Sequence, residues 1–193
     1  MSEPVWVPLG AAGFVPQAAL TTSLPASPVD GQRCILTDSL TAGTFHWLLQ
    51  YVAARASNKW VFIGGAPQES EVATGQGTNS TSYTDLATVG PSIALPVAGD
   101  YIVRIGYQAR IGTTSQTYYM SYAIGATAAA DADACGMVAG AAGDPGMSNM
   151  RSMKKLALPA VTLTAKYRIT GGTGPNGGFI NRWMEVEPIA VGG

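Results

Sequence analysis

In Tyr101-Ile102-Val103-Arg104-Ile105-Gly106-Tyr107, the residues Tyr101, Val103, Ile105 and Tyr107 recur at every second position. Period two is the signature of a strand with one buried face, because successive side chains of an extended backbone point to opposite sides. Strand-like runs recur at Glu71–Thr74, Ser82–Leu86, Ser92–Leu95, Gln116–Gly125, Ser148–Leu158, Thr162–Ile169 and Phe179–Pro188. Their short spacing, with Gly and Pro between them, predicts an all-β sandwich or jelly roll over residues 69–193. The chain holds 24 glycines and 12 prolines, about a fifth of its length against roughly 12% in average usage. Residues 126–146, rich in Ala, Gly and Asp, read as a long excursion between strands, with room for a short helix over Ala128–Ala134.

Two further segments precede the sandwich. Residues 1–28 carry Pro4, Pro8, Pro16, Pro25 and Pro28. Proline fixes φ and removes an amide donor, so this segment is expected to be an extended arm. Residues 29–68 read as a small antiparallel module with strands at Arg33–Thr37, Thr44–Tyr51 and Lys59–Ile63. Phe45, Trp47, Leu49 and Tyr51 share one face, and so small a sheet needs a neighbour or a copy of itself to cover it.

Composition narrows the function. Eleven Lys and Arg against twelve Asp and Glu give a net charge of −1. Nucleic-acid binding rests on phosphate neutralisation, so no nucleic-acid partner is expected. The low charge density favours self-association. The first residues, MSEPVWVPLG, lack the basic and apolar runs of a secretory signal. No apolar run reaches the ~18 residues of a spanning helix, so no membrane partner is expected. The chain is expected to be made and retained in a cytoplasm.

No catalytic constellation, cofactor or metal site emerges, and the chain is expected not to be an enzyme. His46 is the single histidine, and its place between Phe45 and Trp47 puts it on the less apolar face of its strand. Gly172-Thr173-Gly174-Pro175-Asn176-Gly177 matches GxGxxG, but it leads into a strand at Phe179-Ile180 rather than a helix, so a glycine loop is expected. Cys34 and Cys135 lack metal spacing and read as two small buried thiols, though sequence leaves a disulfide open. Asp131 and Asp133 could ligate Ca²⁺ or form a solvated loop, and the loop is expected. Arg151, Lys154 and Lys155 fit an exposed strand edge that resists pairing with another sheet. Tyr118, Tyr119 and Tyr122 are either packing residues or stacking surfaces for sugars.

The stretch Leu24-Pro25-Ala26-Ser27-Pro28-Val29-Asp30-Gly31-Gln32, followed by Lys59-Trp60-Val61-Phe62-Ile63-Gly64-Gly65, resembles a small module of tailed-bacteriophage virion proteins. Tyr83 to Pro91, then Ala98-Gly99-Asp100-Tyr101, resembles the start of the jelly roll that follows it, as do Ala165-Lys166-Tyr167-Arg168, Gly171 to Gly174 and Asn181-Arg182-Trp183. Such jelly rolls are similar to trimeric C1q/TNF-like heads. The resemblance implies a homotrimeric virion-surface protein, either a capsid decoration (cement) or head-fibre protein, assembled in the host bacterial cytoplasm. The alternative is a short tail fibre that recognises a host surface glycan. Its partners would be its own copies and the major capsid or tail proteins. Trp6 and Phe14 are expected to anchor the arm to the particle. Tyr101, Val103, Ile105, Tyr107 and Trp183 are expected to pack between copies.

Overall fold

A computed structural model describes residues 18–110, 116–138, 147–170 and 178–192. The strands are β1 (Ala19–Thr21), β2 (Arg33–Leu36), β3 (His46–Tyr51), β4 (Trp60–Ala66), β5 (Gln68–Val72), β6 (Ser92–Ala94), β7 (Gly99–Arg110), β8 (Thr117–Ile124), β9 (Cys135–Val138), β10 (Met147–Leu158), β11 (Thr162–Ile169) and β12 (Gly178–Val191). A single 3₁₀ turn at Asp131–Asp133 is the one helical element among the described residues.

From β5 onward each strand pairs with the one equally far from the other end. β5 pairs β12, β6 pairs β11, β7 pairs β10 and β8 pairs β9, all antiparallel. The chain is therefore one long hairpin with its tip between β8 and β9, wrapped so that its arms fall in two layers. Wrapping adds the pairings of β12 with β7 and of β11 with β8. The layers are β5-β12-β7-β10 and β6-β11-β8-β9, the double Greek key of a jelly roll. The protein is thus an all-β jelly roll.

The N-terminal strands enlarge the first layer. β4 pairs the end of β12 through Val61 with Ala190 and Trp60 with Val191. β3, β2 and β1 follow in order, and β1 runs parallel to β2. Phe45, Trp47 and Leu49 are buried, as their alternation predicts. The short segment at Ala19–Thr21, expected within an extended arm, takes part in this sheet.

Three other expectations need correction. Ser82–Leu86 is not a regular strand; Thr84 makes an isolated bridge to Tyr167, and Ile169 donates its amide to the Ser80 carbonyl. The excursion over 126–146 contains β9, whose alternating Cys135 and Met137 are too few to stand out in an Ala- and Gly-rich run. The short helix over Ala128–Ala134 contracts to the 3₁₀ turn, because Ala130 and Ala134 on either side are extended.

Phe179 sits at the centre of the core. Its ring lies 5.0 Å from Tyr107, 5.7 Å from Tyr118 and 4.8 Å from Tyr167. The tyrosine hydroxyls find backbone acceptors: Tyr107 donates to the Tyr118 carbonyl at 2.5 Å and Tyr167 to that of Gly90 at 2.8 Å. Burial pushes the phenol pKa of both above the ordinary tyrosine value. Both cysteines are buried free thiols, raised to about 11 for Cys34 and about 12 for Cys135 by loss of water around the thiolate.

Arg182 lies in the same interior at 0% exposure. Its Nη1 donates to the carbonyls of Thr88 at 3.2 Å and Gly90 at 3.3 Å, and its Nη2 to that of Thr74 at 3.2 Å. The guanidinium also lies 5.3 Å from the centre of the Tyr167 ring. No carboxylate pairs with it among the described residues. Three carbonyls of the β5–β6 connection thus replace water around a buried cation, which ties that connection to β12. Replacing Arg182→Ala would orphan the Thr74 and Thr88 carbonyls, while Gly90 keeps the Tyr167 hydroxyl, and would leave a void. Urea unfolding is expected to show a loss of about 3 kcal/mol; a change within 0.5 kcal/mol, roughly that of an ordinary surface substitution, would refute the role given to Arg182.

Candidate functional site

One irregularity in β12 builds the site. Ile180 pairs Gln108, but Trp183 pairs Gly106, so β12 spends one more residue than β7 over this step. Asn181 takes a positive φ of 47° there, a conformation that Asn tolerates better than most residues. An unbroken strand would place Phe179, Asn181 and Trp183 on one face. With the bulge, Phe179 and Arg182 are both buried, and Trp183 emerges half-buried on the outside of the first layer.

Trp183 can lie on that face because Gly106 is its neighbour on β7. A Cβ at Gly106 would come within 2.5 Å of the indole. On the far side of Gly106, Met150 of β10 completes the row and is more than half exposed. On the other side Trp183 pairs Glu71 of β5. Together with Glu69, Gln108 and Asn181 these residues line a cleft of about 800 Å³. Asn181 donates to the Gln108 side chain at 3.0 Å and so fixes the end of the cleft beside the bulge. At the opposite end Arg104 is held by Glu185 and, at 2.9 Å, by Glu187. The Glu187 carboxylate, with Glu185, keeps the Arg104 guanidinium above its ordinary pKa. Glu69 and Glu71 have no ion-pair partner among the described residues, and they make this rim acidic.

The side of the sandwich where β9 and β10 meet has the opposite character. From the inner face of β10, Arg151 donates to the Ala134 carbonyl at 2.8 Å, Lys155 pairs with Asp133, and Asn149 donates to the Gly136 carbonyl. These contacts close the gap between the two layers. Outside them, Val138 of β9 and Leu156 of β10 are 65% and 62% exposed. Leu156 follows Lys154 on the outer face, and a second bulge, where Ala157 takes φ 53° and donates its amide to Asp100 at 2.9 Å, returns Leu158 to the interior. Lys154 is exposed on the outer face beside it. The basic run expected to guard an edge is therefore divided: Arg151 and Lys155 close the sandwich, and Lys154 faces out.

The residues expected between copies separate in the same way. Tyr101, Val103, Ile105 and Tyr107 are at most 1% exposed within a single chain. Their alternation identifies a buried face, but the second layer of the same chain covers it, so they cannot meet a copy. Trp183 alone of the five remains accessible. Trp6 and Phe14 lie outside the described residues, as does the glycine run 172–177. His46 is exposed, as expected. Tyr118 and Tyr122 are buried, whereas Tyr119 lies on the outer face of the second layer.

Asp131 and Asp133 do not converge on a common ion. Asp133 turns to Lys155, while Asp131 accepts from Tyr83 at 2.7 Å and from Arg168 at 3.0 and 2.8 Å. The Tyr83 hydroxyl, then the Arg168 guanidinium, holds the Asp131 carboxyl below its usual range. Among the described residues no group of His, Cys, Asp and Glu is arranged to hold a metal, and no helix is long and apolar enough to cross a membrane.

A Gly106→Ala substitution is expected to lift the Trp183 ring off the sheet at a cost of about 1 kcal/mol. Crystallography of the variant would show the displaced indole; an unmoved ring would contradict the packing described.

No protein-family model matches the chain, and no curated protein matches it. Among solved structures, Eiger TNF from S. frugiperda is similar over 66% of this chain and 96% of its own, with 8% sequence identity and a TM-score of 0.41.

Proposed function

We propose that this protein is a non-catalytic structural component of a tailed-bacteriophage virion surface, a capsid decoration or head-fibre protein built as a homotrimer. The supporting observation is a pair of complementary surfaces on one jelly roll. The Trp183 cleft offers an aromatic and thioether floor with the acidic rim of Glu69 and Glu71. The outer face of β10 offers exposed Leu156 beside Lys154. In the proposed assembly that patch of one copy enters the cleft of the next. Such a head-to-tail contact uses two different patches and closes into a ring when the rotation allows. The number three and the virion setting come from the resemblance to phage surface modules with C1q/TNF-like heads.

Burial of Trp183 and Leu156 provides a non-directional driving force, and the opposed charges set the register. The N-terminal segment with Trp6 and Phe14 is proposed to attach the trimer to capsid or tail proteins.

Light scattering at micromolar concentration is expected to give three times the 19.9 kDa chain mass. Leu156→Glu is expected to reduce it to the mass of one chain, because it sets a carboxylate against the Glu69 and Glu71 rim. A single-chain mass for the unaltered protein would overturn the proposal. A trimer unaffected by Leu156→Glu would move the contact elsewhere. Attachment is tested separately, by whether particles lacking the protein lose heat resistance, as a decoration requires. Unchanged resistance with lost adsorption to host cells would favour the tail-fibre role.

A further inference from the structure

On the outer face of the second layer, away from the Trp183 cleft, four side chains from separate parts of the chain form one network. Tyr119 of β8 leans over Gly136 of β9, where a Cβ would come within 2.6 Å of its ring. Arg168 of β11, paired in register with Tyr119, stacks its guanidinium 3.9 Å from that ring and 5.3 Å from the ring of Tyr83. Tyr83 is held there because Thr84 bridges Tyr167 at the edge of β11. Asp131 closes the network from the 3₁₀ turn. Beside the network lies an open cleft of about 580 Å³ lined by Tyr83, Asp131, Arg168, Thr81, Ser82 and the Ala128–Ala130 run.

We propose that this cleft binds a neutral saccharide, with the Asp131 carboxylate as the central acceptor for its hydroxyls. The network leaves one carboxylate oxygen unused. All three bonds from Tyr83 and Arg168 go to Oδ1 of Asp131, and Oδ2 has no hydrogen-bond partner among the described residues. The Asp131 side chain is 65% exposed. An acceptor already fixed by its neighbours loses little conformational freedom on binding. The hydroxyls of Thr81 and Ser82 add donors and acceptors at the same rim, and the Tyr83 ring supplies an apolar surface for the C–H face of a pyranose.

Charge decides the class of sugar. Arg168 is already matched by Asp131, and the unused oxygen would repel a carboxylate, sulfate or phosphate. The cleft therefore favours uncharged sugars over sialylated, uronic or phosphorylated ones. A single shallow site of this kind binds weakly, and several copies on one particle would raise the avidity. The inference stands on the cleft alone and does not depend on the oligomeric state or on placement on a virion.

The test is an array of immobilised oligosaccharides, neutral and anionic, probed with the full chain, with its mass measured by light scattering in the same sample. Retention on neutral glycans, with competition by the free neutral sugar, is expected. Asp131→Asn keeps the shape and removes the charge; it is expected to weaken binding at least tenfold while the chain remains folded by circular dichroism at the temperature of the assay. Tyr83→Phe keeps the ring but removes one of the three bonds to Oδ1 of Asp131, and is expected to weaken binding less. No retention on any neutral glycan, preference for anionic glycans, or full binding by Asp131→Asn would each overturn the proposal. The mass measurement separates these outcomes from failure of the trimer.

Discussion

A single extra residue in the last strand decides what is inside this protein and what is outside. β12 is the hub of the first layer: it pairs β7 along one edge and β5 and then β4 along the other. A strand paired on both edges cannot slide, so the parity of its side chains is fixed on both sides of the bulge. Up to Phe179 that parity follows the core of the sandwich. Past Asn181 it is reversed, and Arg182 enters the interior while Trp183 leaves it. The second irregularity in β12 has a simpler cause. Pro188 has no amide to donate, and it falls in the gap between the last pairing with β5 at Val186 and the first with β4 at Ala190.

The bulge has consequences on both faces. Inside, the guanidinium of Arg182 draws the carbonyls of Thr74, Thr88 and Gly90 onto β12 and so ties down the connection that carries Tyr83 toward the second layer. Outside, the indole needs a bare backbone beneath it, and Gly106 provides one at the paired position of β7. The surfaces on opposite sides of the sandwich therefore share a structural dependence. The Trp183 face suits apolar contact with a second protein surface, and the Tyr83–Asp131–Arg168 face suits a polar ligand.

The class of fold is legible in the sequence because period two is a local property. Thr162–Ile169 has the bounds its alternation predicts, and Phe45, Trp47 and Leu49 are buried together as expected. What the sequence conceals is parity across a bulge. Tyr101, Val103, Ile105 and Tyr107 are correctly grouped on one face, but their covering layer belongs to the same chain, and strand pattern carries no information on which surface covers a face. Trp183 shows the converse. Counted from Phe179 in steps of two it belongs in the core, and only Asn181, a residue tolerant of positive φ, hints at the shift. Arg182 in the interior has no sequence signal at all. The Tyr83–Asp131–Arg168 network joins positions up to 85 residues apart, so only the pairing of β11 with β8 and with the 80–84 segment brings them together.

The most direct test of this arrangement is hydroxyl-radical footprinting of the tryptophans, read by mass spectrometry, on the proposed assembly and on its Leu156→Glu form. Trp47 and Trp60 are at most 1% exposed and serve as internal references. The bulge predicts that in the dissociated chain Trp183 is oxidised several-fold faster than either, and that assembly slows its oxidation toward theirs. Trp183 as protected as Trp47 in the dissociated chain would place the indole in the core and contradict the account.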